Sequence, residues 1–583
     1  MSEYLALSWA RGMPSSAAER MWTSLEADGD WTLAHQAFEL RVYVRGRRPP
    51  RLRVLPGGGG VVIGDCFDSQ AAWEGRGEDF PVNQLAGLDP VAACEILTRH
   101  AWGRYVAILA QPAQPPWIYR DPTGALECLT WTRDAVSIIA SSVPVRGPFS
   151  PPDLSIDWTA LGRLLARGNL CSEICPLAGV TAVDGGVLRH GVGAGDQRRL
   201  WRPGDIAACP RPDLVPADLA RTIDGVTAAL AKDRKVVLAE ISGGLDSAIV
   251  AASLARCGAP VAAGVNHYWP EPEGDERVFA QVVADRFGYR LIAGERGLLI
   301  TDPDKLMRHA QGPRPGLNAQ DPDLDQDLAD QILAADADAL FSGQGGDAVL
   351  FQMAHPTLAA EILAGARCAT GRGAALAQLA RRARTTVWRL AGRALSPAGR
   401  ALPSIPPPSF LGSGLTQPPV HAWLAGPGLS PARRVQTWAL VNVLSAFGDS
   451  RRSRAAPVLY PLMSQPIIEL CLSVPMPTLA IGALDRPFAR AAFADRLPAA
   501  ILARRSKGDV TVFFSRSLAE SLPHLRPFLL EGRLTGQGLI DAARLEPLLH
   551  AEPLIWKDCV GEVMLAAYLE AWARVWEDRL SAA

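Results

Sequence analysis

The sequence predicts an α/β protein with a mostly β N-terminal part and a doubly wound parallel sheet with added helices after it. Short apolar runs separated by Pro- and Gly-rich turns occupy residues 1–200. From residue 236 onwards, apolar strand-like runs alternate with helical patterns, as in parallel α/β sheets. The pattern of apolar residues beyond residue 434 predicts mostly helices. This segment is long enough to add a layer of helices to the sheet.

Several short elements are expected in the N-terminal part. Four apolar runs are typical of strands, at residues 42–44, 61–63, 105–109 and 117–119. The Gly-rich segment 56–60 resembles a phosphate-binding loop, but an apolar strand follows it, so a hairpin turn is expected. A helix is expected between about residues 85 and 100. A Pro-rich linker then separates two predicted domains, 1–205 and 215–583.

The second part is organised around residues 236–257, where the hexapeptide SGGLDS joins a predicted buried strand to a predicted helix. Gly243 and Gly244 allow a sharp turn that brings backbone N–H groups close to an anion, and the helix start adds unpaired N–H groups. The carboxylate of Asp246 would repel a bare phosphate, but it fits a site in which Mg²⁺ lies between the two. A simple Ser-Gly turn is the alternative; the whole strand–loop–helix context favours nucleotide binding.

A second glycine-rich loop, SGQGGD at residues 342–347, follows a later predicted strand. Strands are expected at 261–265 and 339–341, with helices at about 275–287 and 325–335. Ligands of parallel sheets bind at the C-terminal ends of the strands, where both loops lie. Asp347 can supply a second carboxylate for Mg²⁺, whereas the alternative is an Asp that caps the next helix. The presence of both loops favours a binding site.

Composition excludes several classes of protein. The 583 residues carry a net charge of −1, which indicates neither a nucleic-acid binder nor an acidic tail. No signal-peptide pattern and no uncharged apolar stretch of about 20 residues is present, so we expect a cytoplasmic protein that does not contact membranes. The ten Cys are scattered, and Cys171 and Cys175 lack a second pair, so no zinc site is expected.

A strongly basic stretch covers residues 367–434, which contain no Asp or Glu. Arg381, Arg382 and Arg384 lie there on a predicted helix. The stretch is either an Ala/Arg-rich surface helix with a loose linker or a basic contact surface for a peptide or partner protein. The sequence leaves both interpretations open.

Over most of its length the chain resembles asparagine synthetase-type amidotransferases of the ATP pyrophosphatase superfamily. The matching residues are 103–106, 119–124, 242–247, Val265, Asp275, 342–347, 457–462 and 504–508. The resemblance implies an N-terminal α+β sandwich of the glutaminase type, followed by an ATP pyrophosphatase domain that forms an adenylate on its substrate and releases pyrophosphate.

The resemblance also implies roles for individual residues. Asp246 and Asp347 would share Mg²⁺ on ATP, and Lys507 would stabilise the transition state of adenylation. Val265 and Gly343 would lie beside the adenine. The residues that would bind ATP are those of the first loop, Ser242, Gly243, Gly244, Leu245, Asp246 and Ser247.

Two departures from the family pattern argue against ammonia chemistry. The family's glutaminase nucleophile is a Cys at the mature N-terminus, whereas this chain has Ser2 and its first Cys is Cys66. The second loop usually carries a Glu where this chain has Gln344, which cannot act as a general base. We therefore expect a degenerate glutaminase-like domain without glutaminase activity.

A chain that keeps the adenylating half and lacks the ammonia source should use another amine. The resemblance is greatest to lasso peptide macrolactam synthetases (cyclases), since the SGQGGD loop and the basic stretch fit a peptide substrate. Such an enzyme would adenylate an Asp or Glu side chain of a precursor core peptide and join it to the N-terminal amine. A leader peptidase and a leader-recognition protein would be its partners. The alternatives are a β-lactam synthetase, an ammonia-dependent asparagine synthetase and a non-catalytic scaffold of a biosynthetic complex.

Overall fold

The architecture is taken from a computed structural model. The structure describes residues 3–9, 15–37, 39–168, 173–193, 195–269, 274–317, 321–403, 406–413, 415, 420–505, 511–556 and 559–582.

Fourteen strands in the described part of residues 1–200 form two six-stranded antiparallel sheets and a two-stranded ladder. Their bounds are β1 (Glu3–Ser8), β2 (Thr32–Ala37), β3 (Leu40–Arg45), β4 (Leu52–Val54), β5 (Gly60–Asp68), β6 (Ala101–Leu109), β7 (Trp117–Arg120), β8 (Leu129–Arg133), β9 (Val136–Ala140), β10 (Ser155–Ile156), β11 (Leu177–Ala178), β12 (Thr181–Ala182), β13 (Val187–His190) and β14 (Gln197–Arg199). The strand orders are β12-β8-β9-β1-β3-β2 and β14-β13-β7-β6-β5-β4, and β10 pairs with β11. The mostly β character predicted for this part is confirmed.

Helices cover the outer faces of the two sheets, and the sheets pack against each other. The helices of this part are α1 (Ser15–Ala27), α2 (Ser69–Trp73), α3 (Pro90–His100), α4 (Trp158–Arg167) and α5 (Pro203–Ala207). The inner core joins Tyr4 and Val42 of one sheet to Ile63 and Ile108 of the other. On the outer faces, α1 packs on the first sheet and α3 on the second, which gives a four-layer α+β sandwich.

The hairpin and the helix expected in this part are both present. Strands β4 and β5 pair antiparallel with Leu52 opposite Ile63, so the Gly-rich segment between them is a hairpin turn. Helix α3 begins at Pro90, five residues later than predicted, because the Asp89 carboxylate accepts hydrogen bonds from the N–H groups of Val91 and Ala92. This side-chain cap satisfies the first free donors and fixes where the helix begins.

The second part contains a five-stranded parallel sheet, as predicted. Its strands are β15 (Val237–Glu240), β16 (Val261–Tyr268), β17 (Leu291–Glu295), β18 (Ala339–Phe341) and β19 (Val458–Leu459). The spatial order is β17-β16-β15-β18-β19, so the chain winds outwards in one direction from β15 and then in the other from β18. This reversal on either side of β15 makes the sheet doubly wound, and ligands bind at the C-terminal edge of such a sheet at this point.

Helices make up most of the rest of the chain. Those before β19 are α6 (Pro216–Ala231), α7 (Leu245–Arg256), α8 (Arg277–Phe287), α9 (Pro303–His309), α10 (Pro322–Ala334), α11 (Gly346–Val349), α12 (Pro356–Leu363), α13 (Arg372–Arg382), α14 (Val387–Leu395), α15 (Pro397–Arg400), α16 (Pro431–Val443) and α17 (Arg451–Ala455). Those after it are α18 (Gln465–Ser473), α19 (Met476–Ala480), α20 (Pro487–Ala492), α21 (Ala499–Leu502), α22 (Thr511–Leu530), α23 (Arg533–Gly536), α24 (Ala542–Leu545), α25 (Ala551–Trp556) and α26 (Val560–Ser581). Among the helices that the structure describes, none combines the length and the apolar character needed to cross a bilayer.

The two parts share a core across the predicted domain boundary. Phe67, Trp102 and Trp201 of the first part pack in the same buried cluster as Val237 and Ile249 of the second. Burial of aromatic side chains on this scale ties the parts together. The division at residues 205 to 215, between α5 and α6, stays a prediction.

A partly buried ion pair also joins the two parts. The Glu127 carboxylate accepts hydrogen bonds from Nε and Nη2 of Arg314, at 2.6 and 2.9 Å, and lies 3.2 Å from Nη2 of Arg120. Burial alone would raise the pKa of Glu127, but the Arg314 and Arg120 guanidinium groups outweigh burial and lower that pKa to about 2. The ionised form is therefore strongly favoured in the folded protein.

Replacing Glu127 with Gln should lower the free energy of unfolding by about 2–3 kcal/mol at pH 7, because two largely buried guanidinium groups lose an anionic partner. Since the pKa of Glu127 is depressed in the folded state, its contribution is present above about pH 4.3 and is lost as the pH falls towards 2. Urea denaturation at several pH values measures this. A difference between wild type and variant that stays constant from pH 7 to pH 2 would contradict it.

Candidate active site

The first glycine-rich loop lies at the C-terminal end of the central strand β15 and leads into α7. Gly243 has a φ of +77°, and a Cβ atom there would lie 2.8 Å from the Cβ atom of Phe279. Only glycine fits this position, because other residues disfavour the left-handed backbone and the space is filled. Helix α7 begins at Leu245, three residues before the apolar run that predicted it, so its free N–H groups face the loop.

Two serines hold the first loop in shape. The Oγ atoms of Ser242 and Ser247 lie 3.1 Å apart, and Ser247 Oγ also accepts a hydrogen bond from the backbone N–H of Ser242 at 3.2 Å. The N–H of Gly244 points to Ser242 Oγ at 3.4 Å. These bonds order the loop without using the N–H groups at the start of α7, which stay available for an anion.

The second glycine-rich loop packs directly against the first. A Cβ atom at Gly343 would lie 2.5 Å from the backbone nitrogen of Ser247, and one at Gly346 would overlap the carboxylate of Asp246. Glycine is needed at both positions because the loops touch through their backbones. This close approach brings the carboxylates of Asp246 and Asp347 to the same point, as the two motifs predicted.

One arginine connects the two carboxylates. Nη1 of Arg486 donates to Oδ2 of Asp246 at 2.6 Å and to Oδ1 of Asp347 at 2.5 Å, and Nη2 donates to Asp485 at 2.9 Å. Only 6% of Arg486 is exposed. Burial disfavours its charge, but the three carboxylates outweigh burial and raise its pKa above the usual value. Sequence reasoning missed Arg486, and its only local signal is the Asp-Arg-Pro tripeptide before α20.

The two carboxylates fit a magnesium ion carried by a nucleotide. Oxygens of Asp246 and Asp347 both contact one nitrogen atom, so a single cation can reach both. Within the described residues, no group of three or more His, Cys, Asp or Glu side chains is placed to hold a metal alone. Mg²⁺ is typically bound by one or two carboxylates together with substrate phosphates and water. The donor set therefore fits Mg²⁺ that arrives with ATP.

A cavity of about 920 Å³ opens above the two loops. Segment 486–505 contributes four arginines to its wall, Arg486, Arg490, Arg504 and Arg505. Segments 344–353 and 438–442 contribute uncharged side chains apart from Asp347, namely Gln344, Gln352, Met353, Trp438 and Asn442. The arginines suit a triphosphate, whereas the neutral wall suits an uncharged part of a second substrate.

The structure does not bring every predicted residue to the cavity. Gly244, Leu245 and Ser247 line it, as does Gly343. Gly243 lies behind the loop, where its carbonyl oxygen accepts a hydrogen bond from Arg504 at 2.8 Å. Nearly all residues of the first loop, together with Gly343, therefore line the cavity.

One predicted residue lies away from the cavity, and three other positions fall outside the described residues. Val265 is buried in β16 beside Glu240 and does not line the cavity, so its contact with adenine stays a prediction. Lys507 lies outside the described residues, immediately after the arginines at 504 and 505 that line the cavity. Ser2 and Cys171 lie outside the described residues as well.

Comparisons with known proteins agree with the two motifs. The family model for asparagine synthase matches residues 219–574, which is more than half of the chain and includes both glycine-rich loops. No curated protein matches the chain.

Two solved structures are similar over part of the chain. One is the glutamine phosphoribosylpyrophosphate amidotransferase from B. subtilis complexed with ADP and GMP, at 12% identity, covering 50% of this chain and 65% of that one, with a TM-score of 0.19. This chain thus spans slightly less than two thirds of that protein. The other is an allosteric regulatory enzyme of purine biosynthesis, at 11% identity, covering 52% and 82%, with a TM-score of 0.19. Both TM-scores are too low to relate the folds.

Proposed function

Because this chain belongs to the asparagine synthase family, we propose that it is an ATP-dependent lasso peptide cyclase. It adenylates an Asp or Glu side chain of a core peptide and then joins that carbonyl to the peptide's N-terminal amine. The family implies ATP-dependent formation of an amide. The peptide substrate, the macrolactam product and the release of AMP are the proposal, and the neutral wall of the cavity is the observation that carries it.

The neutral wall favours a peptide over free aspartate as the acyl donor. Free aspartate carries an α-ammonium and an α-carboxylate, and both need charged or strongly polar partners when they leave water. The side chains of Gln344, Gln352 and Asn442 both donate and accept hydrogen bonds, as the amides of a peptide backbone do. Met353 and Trp438 add apolar surface. A carboxylate carried within a peptide matches this wall better than an amino acid does.

One acidic side chain on the cavity wall suits the acceptor amine. Asp246, Asp347 and Asp485 all contact Arg486. Glu240, at the end of β15, lines the same cavity. A carboxylate at this place can receive a protonated amine. An N-terminal amine has a pKa near 8, so a useful fraction is neutral at pH 7 without a strong base at Gln344.

The residue roles follow from the two loops. The N–H groups and hydroxyls of 242–247 and the backbone at Gly343 bind the nucleotide, while Asp246 and Asp347 hold Mg²⁺ on its phosphates. Bound there, Mg²⁺ would neutralise part of the charge that builds up on the departing pyrophosphate. Lys507 stabilises negative charge on the α-phosphate as the carboxylate attacks. The protein holds the reacting carboxylate and amine close together, and this lowers the entropic cost of closing the ring.

Exchange of radioactive pyrophosphate into ATP, with different acyl substrates, tests this proposal. A leader-free core peptide should stimulate exchange at least about tenfold over background, whereas free aspartate should stimulate it much less, because the amide and apolar side chains of the neutral wall match a peptide better than an α-ammonium and an α-carboxylate. A core peptide whose acceptor Asp or Glu is replaced by Asn or Gln is the matched control. Exchange with aspartate that equals exchange with the peptide would contradict the proposal.

We also propose that the basic stretch docks the leader peptidase. Helix α14 exposes Trp388 at 87% and Leu395 at 62%. Several exposed arginines surround them, none of which forms an ion pair with a described residue: Arg372, Arg381, Arg384, Arg389, Arg393 and Arg400. Trp and Arg are the residues most enriched at binding hot spots, and unpaired positive charge favours an acidic partner.

Replacing Trp388 with Ala together with Arg389 with Glu should weaken binding of the leader peptidase at least about tenfold, since a hot-spot residue is worth 2 kcal/mol or more. Calorimetry with the two purified proteins measures the change. Pyrophosphate exchange with a leader-free peptide should stay at the wild-type rate. Arg20→Glu, on the sandwich, is the control for the change of charge. Unchanged peptidase binding in the double variant would exclude this surface.

A further inference from the structure

We propose that Arg486 takes the place of the metal ion between Asp246 and Asp347 until nucleotide arrives, so that Mg²⁺ binds only together with ATP. This inference rests on the proposed ATP site, and it assigns a gatekeeping role to a residue that neither sequence motif contains. It concerns the order of binding rather than the reaction itself.

The geometry makes Arg486 and a metal ion mutually exclusive. Nη1 of Arg486 contacts oxygens of Asp246 and Asp347 at 2.6 and 2.5 Å. A cation that bridges the same two oxygens would have to lie where this nitrogen lies. Two cations at that distance repel each other strongly, particularly where burial reduces screening by water. The guanidinium must therefore withdraw before a metal ion can bridge the carboxylates.

The charges around Arg486 explain why metal alone does not displace it. Among the described residues, Asp246, Asp347 and Asp485 supply three negative charges, and Arg486, Arg490 and the nearby Arg382 supply three positive ones. The cluster is thus close to neutral before any ligand binds. A divalent ion added without phosphates would leave excess positive charge in a largely buried site, which is unfavourable. Phosphates that arrive with the ion remove this excess.

The backbone supports a fixed starting position for Arg486. Its φ is +50° and its ψ +47°, a left-handed conformation that residues with side chains seldom adopt. Pro487 follows directly and begins α20. Unusual backbone of this kind persists only where the surroundings hold it, and it clusters at functional sites. The backbone conformation at Arg486 therefore fixes the direction in which its side chain leaves the main chain, towards the two carboxylates.

Nucleotide binding gives Arg486 a new partner. Guanidinium groups bind phosphate oxygens with paired, charge-assisted hydrogen bonds. When ATP brings Mg²⁺ to the carboxylates, the phosphates can replace them as the partner of Arg486, which already lines the cavity. When Arg486 changes partners in this way, both the guanidinium group and the two carboxylates keep a partner of opposite charge. Arg486 should thus weaken binding of free metal and strengthen binding of the nucleotide.

Binding of Mn²⁺ in the absence of nucleotide tests this inference, with electron paramagnetic resonance of free Mn²⁺ as the readout. Wild-type protein should bind Mn²⁺ weakly. Arg486→Met should bind it at least tenfold more tightly, because the carboxylates lose a cation that competes with the metal ion for the same oxygens. The same variant should bind a non-hydrolysable ATP analogue at least tenfold more weakly. Arg505→Met is the matched control, since Arg505 lines the same cavity but contacts neither carboxylate, and it should change Mn²⁺ affinity less than threefold.

Two further measurements make the outcome decisive. Arg486→Gly tolerates the left-handed backbone and should repeat the Mn²⁺ result if Arg486→Met does not fold. Affinity for Mn²⁺ within twofold of wild type in a folded variant would overturn the inference. Absence of pyrophosphate exchange in the wild type would instead count against the proposed function, while the metal measurement, which involves no turnover, would still test Arg486.

Discussion

Replacing Asp246 with Asn is expected to lower pyrophosphate exchange at least about a thousandfold, a loss of roughly 4 kcal/mol of transition-state stabilisation. Asn has nearly the same shape but no charge, so Mg²⁺ loses one of the two carboxylates that hold it on the phosphates. The side chain of Asp246 is only 13% exposed, so water cannot make up for the missing charge. Asp347→Asn should have a similar effect.

The fold of the Asp246→Asn variant should persist, because the packing of Gly346 against this side chain depends on its shape. Circular dichroism and thermal melting check this. Asp330→Asn, on the exposed side of α10, is the control for loss of one carboxylate. Formation of ADP and phosphate in place of AMP and pyrophosphate by the wild type would contradict the whole account of this site.

Replacing Lys507 with Ala is expected to lower kcat at least about a hundredfold, with little change in ATP affinity. A preorganised charge of this kind is worth roughly 3–4 kcal/mol, by analogy with the loss of one oxyanion donor. The effect falls on kcat because the negative charge it stabilises develops only in the transition state. Single-turnover measurements of AMP formation separate this step from product release.

Lys507→Arg is the companion to this variant, because it keeps the positive charge but changes its shape and its distance from the backbone. It should recover part of the lost rate. A Lys507→Ala rate within a few-fold of wild type would remove this residue from the mechanism. The neighbouring Arg504 would then be the next cation to test, since it lines the cavity and bonds to Gly243.

Local patterns predicted much of the fold. The strands β15, β16 and β18 were predictable because short apolar runs lie between turn residues. The Gly-rich segment before β5 could be told apart from a phosphate-binding loop because a strand follows it. The strand β19 has only two residues, Val458 and Leu459, and is too short for any periodicity. It exists because the edge of β18 is open to pair with it.

The sequence predicted only those site residues that lie within a recognisable local motif. Asp246 and Asp347 stand in glycine-rich loops, and glycines are visible in a sequence. Arg486 lies far along the chain from both, and only the tertiary fold, in which α20 packs on α6 and α19, brings it there. The exposure of Trp388 was equally hidden, because an Ala/Arg-rich helix can turn either face to solvent.

The most direct test of the central claim is mass spectrometry of a leader-free core peptide after incubation with the protein, ATP and Mg²⁺. The account predicts a product lighter by one water, dependent on ATP and absent with the Asp246→Asn variant. Fragmentation should place the new amide between the N-terminal amine and an Asp or Glu side chain. Conversion of free aspartate and ammonia to asparagine, with the peptide unchanged, would contradict it.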